Sequence, residues 1–254
     1  MYFDTHAHYD AAAFDGDRET LLAGLADKGV DLVVDPGADL ASSRKAAALA
    51  RQWPFLYAAA GIHPEAAGEA TPDGLDALCA LRRENSRVVA IGEIGLDYHY
   101  ADGAAPDVQK KAFADQLELA RELKLPVIVH ERDACADCLD IIRRYGDLRG
   151  VVHCFSGSWE TAREILNLGW FISFTGVITF KNARRAPEVL AKMPRDRLML
   201  ETDAPYMAPA PVRGTRNDSS NLRYIAARAA ELTGMDVESL CALTKENGRR
   251  FFGL

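Results

Sequence analysis

With 254 residues, a formal net charge of −7, 48% hydrophobic and 26% charged residues, the chain has the balance of a globular protein and length enough for a sizeable core. The acidic balance argues against a broad electropositive surface that grips duplex nucleic acid nonspecifically, though it leaves room for a local patch. No apolar run approaches the ~20 residues that span a bilayer. Asp4, His6 and His8 occupy the stretch where a signal peptide needs a basic region and an apolar core, so a cytoplasmic location is expected.

The chain opens on a short apolar strand, Tyr2-Thr5, running into His6-Ala7-His8. Histidines at i and i+2 share one side of an extended strand, so both imidazoles can reach one metal ion. Further strands are expected at Asp31-Val34, Leu56-Gly61, Val88-Gly92, Val127-His130, Gly150-His153, Phe171-Thr175 and Leu198-Glu201. Between them, apolar residues at three- and four-residue spacing predict helices over Arg18-Lys28, Leu40-Arg51, Gly74-Asn85, Val108-Leu123, Cys135-Tyr145, Trp159-Leu168 and Ala183-Lys192. Two more, Leu222-Leu232 and Val237-Phe251, follow the last strand. Strand-then-helix alternation predicts parallel strands with crossover helices, and eight such units suggest a closed barrel within one domain, residues 1–254. An open doubly wound sheet is the alternative, which periodicity does not separate from the barrel. No Gly-x-Gly-x-x-Gly follows the first strand, which disfavours a dinucleotide-binding fold.

In a parallel barrel the site lies at the carboxyl ends of the strands. Six candidate ligands fall there: His6 and His8 after the first strand, Glu93 after the fourth, His130 and His153 ending the fifth and sixth, and Asp203 after the eighth. Four imidazoles and two carboxylates suit Zn, Mn, Fe, Co or Ni better than calcium. Two ions about 3.5–4 Å apart need a bridging ligand, and Glu93 has two oxygens for that role. Asp203 is expected to serve as general acid/base.

Eight segments then carry a resemblance: DTHAHYD (4–10), GIHP (61–64), GEIGLDY (92–98), VIVHERDA (127–134), HCFSGS (153–158), SFTGVITF (173–180), ETDAPYMAP (201–209) and RGTRN (213–217). In this order the chain resembles the TatD family of metal-dependent hydrolases, a branch of the amidohydrolase-like barrels. The resemblance implies an α/β fold, the (β/α)8 TIM barrel of metallo-dependent hydrolases. It also implies a one-, two- or three-metal site and phosphoesterase activity, often 3′-to-5′ exodeoxyribonuclease activity. Two divalent ions per chain (Zn, Mn, Mg, Ni or Co) are expected. His6, His8, Glu93 and Asp203 would hold the first; Glu93, His130 and His153 the second. The expected partner is DNA with single-stranded or frayed 3′ ends. Glu65 stands where the family often has a second histidine, Glu131 where a small or polar residue is common, and Asp218-Ser219 where Glu-Pro is frequent.

Four further residues are expected to meet substrate. His63 is read as a phosphate contact or proton carrier, against the plainer reading of a histidine satisfying a backbone carbonyl. Arg132, two residues after His130, offers a fork-shaped guanidinium to a phosphodiester. Tyr206 can stack a base or pack beneath its loop. Arg213 and Arg216 are phosphate contacts or ordinary loop charges. His99 is placed at the pocket rim, and Asp97 either fixes a histidine or caps a helix. Glu201, two residues before Asp203, points the same way along the strand and either shares the pocket or hydrogen-bonds a neighbour.

The five cysteines, Cys79, Cys135, Cys138, Cys154 and Cys241, read as free thiols. Cys135 and Cys138 lack the second pair that a zinc site needs. Cys154 is expected to pack on the far side of its strand from His153.

Two other functions compete with the nuclease reading. One is hydrolysis of a small phosphate ester, amide or lactone on the same metals; the other is metal binding without catalysis. Glu93 stands where lysine-bridged amidases carry a carbamylated lysine, and Asp203 keeps the acid/base group a non-catalytic relative is free to lose.

Overall fold

The computed structural model describes residues 1–254. Eight strands form one parallel sheet in sequence order: β1 (Tyr2–Asp4), β2 (Val30–Pro36), β3 (Leu56–Ala60), β4 (Val88–Asp97), β5 (Val127–Arg132), β6 (Gly150–Val152), β7 (Phe171–Phe174) and β8 (Leu198–Leu200). Helices α1 (Arg18–Ala23), α2 (Leu40–Gln52), α3 (Pro72–Glu84), α4 (Pro106–Leu123), α5 (Cys135–Ile142), α6 (Trp159–Asn167) and α7 (Arg185–Lys192) each follow a strand. After β8 come α8 (Leu222–Thr233) and α9 (Val237–Phe252). This is the α/β TIM barrel. No helix is long and apolar enough to cross a membrane.

Closure, which periodicity left open, is made by side chains and single bridges where β8 meets β1. Thr5 Oγ1 donates to the Leu200 carbonyl at 3.1 Å, Asp203 N to His6 O at 2.9 Å and His8 N to Ala204 O at 2.7 Å. The buried Asp4 carboxylate accepts from Thr202 N at 2.9 Å and Thr202 Oγ1 at 2.5 Å. Burial pushes the Asp4 carboxyl up to about 7 against the pull of these donors.

The helix starts follow ordinary capping chemistry. Asp39 accepts from Ser42 N at 2.6 Å to open α2, and Ser158 opens α6 in the same way at 3.3 Å. Inside the barrel, Phe3, Val34, Ala59, Val89 with Ala90, Ile128, Val151, Phe171 and Met199 give an apolar side chain from every strand, and Phe251 and Phe252 of α9 close this floor. A larger apolar cluster fills the space between strands and helices. The floor leaves the carboxyl ends of the strands as the open mouth.

Two local departures from the expected elements shape that mouth. β4 runs on through Asp97, so Glu93 lies within the strand, not after it. Its pairing with β5 slips between Ile91 and Ile94, which breaks the period-two alternation around Glu93. Gly95, at φ 143, lies so close under the His130 carbonyl that a Cβ would collide with it.

Candidate metal centre

The side chains of His6, His8, Glu93, His130, His153 and Asp203 meet at the mouth. His130 and His153 point inward for a simple reason. Ile128 and Val151 of the floor lie two residues earlier on the same strands, and i, i+2 residues share a face.

His6 Nε2 and His8 Nε2 are 3.1 Å apart. Glu93 Oε2 lies 3.4 Å from His6 Nε2 and 3.5 Å from His8 Nε2, and Asp203 Oδ1 lies 3.7 and 3.5 Å from the same atoms. The other Glu93 oxygen serves a second cluster. Glu93 Oε1 is 2.7 Å from His153 Nε2 and 2.9 Å from His130 Nδ1, which are 3.2 Å from each other. Donor atoms around one ion with bonds of ~2.1 Å are separated by roughly 3.0–3.4 Å; the His6–His8, His6–Glu93 and His130–His153 separations of 3.1, 3.4 and 3.2 Å fall in that range, and the others, from 2.7 to 3.7 Å, lie close to it.

The outward nitrogens support the same fit. His8 Nδ1 lies 3.0 Å from the Pro36 carbonyl, which places a proton there and turns Nε2 toward the mouth. His130 Nε2 is 3.1 Å from Asp97 Oδ2, and His153 Nδ1 is 3.4 Å from Glu201 Oε1. His6 Nδ1 and His153 Nδ1 are both buried without a hydrogen-bond partner, Glu201 standing beside the latter as a nearby charge.

The charges are mutually set. Burial pushes the Glu93 carboxyl upward, but His153, His6 and His63 outweigh it and hold the group well below the ordinary carboxylate range. Asp203 is likewise lowered against burial, by His8, His6 and His153. Burial disfavours the charged form of His8, yet Asp203 and Glu93 raise it to about 9. His153 is raised well above its usual value by Glu93 and Glu201 against the same opposition. In His63 burial prevails and lowers the ring to about 4. The mouth thus holds ionised carboxylates beside imidazoles that must give up protons to bind metal.

A cavity of about 640 Å³ opens over these groups; His63, Arg132 and Tyr206 line it with His8, Glu93, His130, His153 and Asp203, while His6 lies buried beneath. His63 Nδ1 accepts from Glu65 N at 3.3 Å, which puts the ring proton on Nε2, 3.7 Å from Glu93 Oε1. Arg213 does not line the cavity; it stacks on Phe180, 4.5 Å from the ring centroid. Arg216 is committed to Asp17, to the Ala13 carbonyl and to the face of Phe14.

Some placements run against the sequence reading. Cys154 does not alternate away from His153. With φ 46 it leaves the strand conformation and lines the cavity, its thiol pushed up to about 12 by burial. Asp203, at φ 57, breaks the shared direction with Glu201, whose carboxylate instead accepts from Cys154 N and Ser173 Oγ, both at 2.7 Å. Asn217 was missed. Fully buried, it donates to the carbonyls of Thr202 at 2.9 Å and Tyr206 at 2.7 Å, and so holds the Asp203 loop. Its only signal was its place in RGTRN.

The family model described as TatD related DNase matches residues 3–253. This chain belongs to the TatD family. It is 41% identical over 254 residues to an uncharacterized metal-dependent hydrolase, YabD, of Bacillus subtilis, covering 99% of each chain. A 3′-5′ ssDNA/RNA exonuclease, TatD, of Cronobacter sakazakii is 38% identical, with 98% of this chain and 97% of that one covered. The crystal structure of YjjV, a TatD homolog from Escherichia coli, superimposes with TM-score 0.92 at 34% identity, covering 100% of this chain and 98% of that one. The chain is a TatD-family metal-dependent hydrolase, with groups of His, Asp and Glu side chains that could hold a metal ion.

Proposed function

We propose that this TatD-family hydrolase cleaves phosphodiester bonds of DNA stepwise from a 3′ end. The observation that carries this reading is the divided Glu93 carboxylate, one oxygen in each cluster of imidazoles. A carboxylate so placed suits two cations side by side, the arrangement that serves phosphoryl chemistry. His6, His8, Glu93 and Asp203 would hold one ion, and Glu93, His130 and His153 the other. Bound divalent metal supplies Lewis acidity toward phosphate oxygens and water ionisation near neutral pH.

The protein's own groups do the rest. Asp203 accepts the proton of the attacking water and returns one to the leaving 3′ oxygen. His63, neutral with its proton on Nε2, donates toward a phosphate oxygen. Arg132 presents its guanidinium to the same phosphate. Asp97 and Glu201 fix the rings of His130 and His153. A relative named as a 3′-5′ ssDNA/RNA exonuclease supports a nucleic-acid substrate.

A second reading is hydrolysis of a small phosphate ester, amide or lactone. The acidic lining supports it, since Asp10, Glu65 and Glu131 face the cavity and repel a polyanion. One experiment decides between them. Metal-free protein reloaded with Mg, Mn or Zn is given end-labelled DNA with single-stranded, recessed or blunt 3′ ends, RNA, a closed circle and p-nitrophenyl phosphate esters. Stepwise shortening from single-stranded 3′ ends is expected. Faster cutting of the closed circle overturns the end-wise reading. Turnover of small esters alone moves the assignment to the second reading.

A further inference from the structure

Six large hydrophobic side chains are exposed: Met1, Tyr100, Val108, Tyr206, Met207 and Val237. Three of them, Tyr100 at 48%, Tyr206 at 58% and Met207 at 41%, line the one cavity above the metal centre. Exposed aromatic surface contributes nothing to the core, and its concentration at a site points to a ligand with an apolar face.

The two tyrosines stand at opposite sides of the mouth. Tyr100 follows β4 and Tyr206 follows β8, four strands apart in a ring of eight. Each neighbours a different cluster. The Tyr206 ring lies 6.2 Å from the ring of His8. The Tyr100 ring faces the guanidinium of Arg132 at 5.2 Å, and Arg132 Nη1 donates to the Tyr100 hydroxyl at 3.3 Å. Arg132 in turn follows His130 by two residues on β5.

Arg132 lies over the Tyr100 ring, and the backbone that carries each tyrosine is tied down. One Asp97 oxygen contacts His130 Nε2 at 3.1 Å while the other accepts from His99 N at 2.8 Å, tying the loop before Tyr100 to a ligand ring. His99 Nδ1 also pairs with Asp133 at 2.9 Å. On the other side, Tyr206 N donates to the Asp203 carbonyl at 2.8 Å and its own carbonyl is held by Asn217. The backbone of each wall is therefore fixed by the same groups that position a metal ligand.

We propose that Tyr100 and Tyr206 form a base clamp, each stacking on the nucleobase at one side of the scissile phosphate. The inference rests on the phosphodiesterase reading above and assigns its substrate subsites. The charge distribution requires such a device. At net charge −7 and with acidic groups on the cavity wall, the chain gains little from extra phosphates. The metal ions, His63 and Arg132 serve one phosphate; further affinity comes from uncharged parts of the strand, and every base has a face to stack. A base inside a duplex has both faces covered by its neighbours and a paired terminal base has one, so the clamp favours unpaired ends, where both faces are free.

The test is a double-mutant cycle between ring and base. Tyr100→Ala, Tyr206→Ala and the two Tyr→Phe variants are assayed on a labelled single-stranded oligonucleotide. The same oligonucleotide is also used with an abasic residue at the terminal or the penultimate position. Each Ala variant is expected to lose about tenfold in kcat/KM on the intact strand. Removing the base that faces a given tyrosine should produce a similar loss in wild type, and the two losses together should fall well short of their product. Each tyrosine should couple to a different nucleotide, and each Phe variant should retain most activity. Losses that multiply independently, or Phe variants as poor as Ala, overturn the clamp. If wild type turns over no oligonucleotide with any metal, the phosphodiesterase reading fails and the clamp with it. Turnover with independent losses sinks the clamp alone.

Discussion

The floor and the mouth of the barrel are built on the same strands, a few residues apart, and follow opposite rules. At the floor every strand places an apolar side chain inward, and α9 seals the layer with Phe251 and Phe252. At the mouth the next inward positions on β5 and β6 are His130 and His153, while Glu93 and Asp203 enter through a slipped register and a left-handed residue. Burying apolar surface stabilises the chain by roughly 25 cal/mol per Å². Burying ionisable carboxylates and imidazoles costs desolvation, which opposes it. The comparison teaches that stability and chemistry are segregated along the barrel axis.

The largest effect that can break this comparison is on turnover. Asp203→Asn keeps the size of the side chain and removes the proton acceptor. Steady-state rates should drop by about 10²–10⁴-fold, while the melting midpoint of the metal-free protein stays close to wild type. A variant with wild-type rates would show that another group carries the proton. Glu93→Gln acts on the ions themselves. It withdraws the charge shared by both clusters, and divalent ion affinity should weaken by more than about 100-fold. Calorimetric titration checks it, and unchanged two-ion binding would remove Glu93 from the bridging position.

The floor should answer in reverse. Phe251 is fully buried against Phe171 and Phe252. Phe251→Ala should lower unfolding free energy by about 3–5 kcal/mol, measured by urea denaturation, with kcat/KM per folded molecule near wild type. A large loss of kcat with little loss of stability would mean that the two ends are coupled.

The sequence made the strands legible because each is a short apolar run followed by a helical pattern, and it made the His6, His8 pair, His130 and His153 legible because they end such runs. The seam was not legible, since Asp4 and Thr202 are 198 residues apart and no local period reports their contact. Nor was the course of β4 past Gly92. A run that carries Glu93, Gly95 and Asp97 reads as a loop until the β5 pairing is seen. Cys154 was misjudged because strand alternation fails at a residue with positive φ; Asp203 adopts the same conformation, and Glu201 takes the second of its two readings, a hydrogen bond to neighbours. Arg213 and Arg216 look alike in the loop, yet one stacks on Phe180 and the other is taken up by Asp17 and Phe14, choices made by tertiary neighbours.

The smallest effect concerns the seam, where floor and mouth meet. The Asp4 carboxyl is raised to about 7 by burial, against about 3.9 in an unfolded chain. A group with a raised folded value binds its proton more tightly in the native state. Its contribution is therefore complete below pH ~4, where both states are protonated, and is lost as pH climbs through about 7. Asn at this position resembles the protonated acid and titrates nowhere. Asp4→Asn should match wild-type stability near pH 4 and exceed it increasingly up to pH 8, by at most about 4 kcal/mol from a three-unit shift. The measurement is urea denaturation of both metal-free proteins across that range, so that all other titrating groups cancel in the difference. If the two stability curves stay parallel, the Asp4 carboxylate is as well solvated by Thr202 as it would be in water, and the seam belongs with neither end but is neutral ground between them.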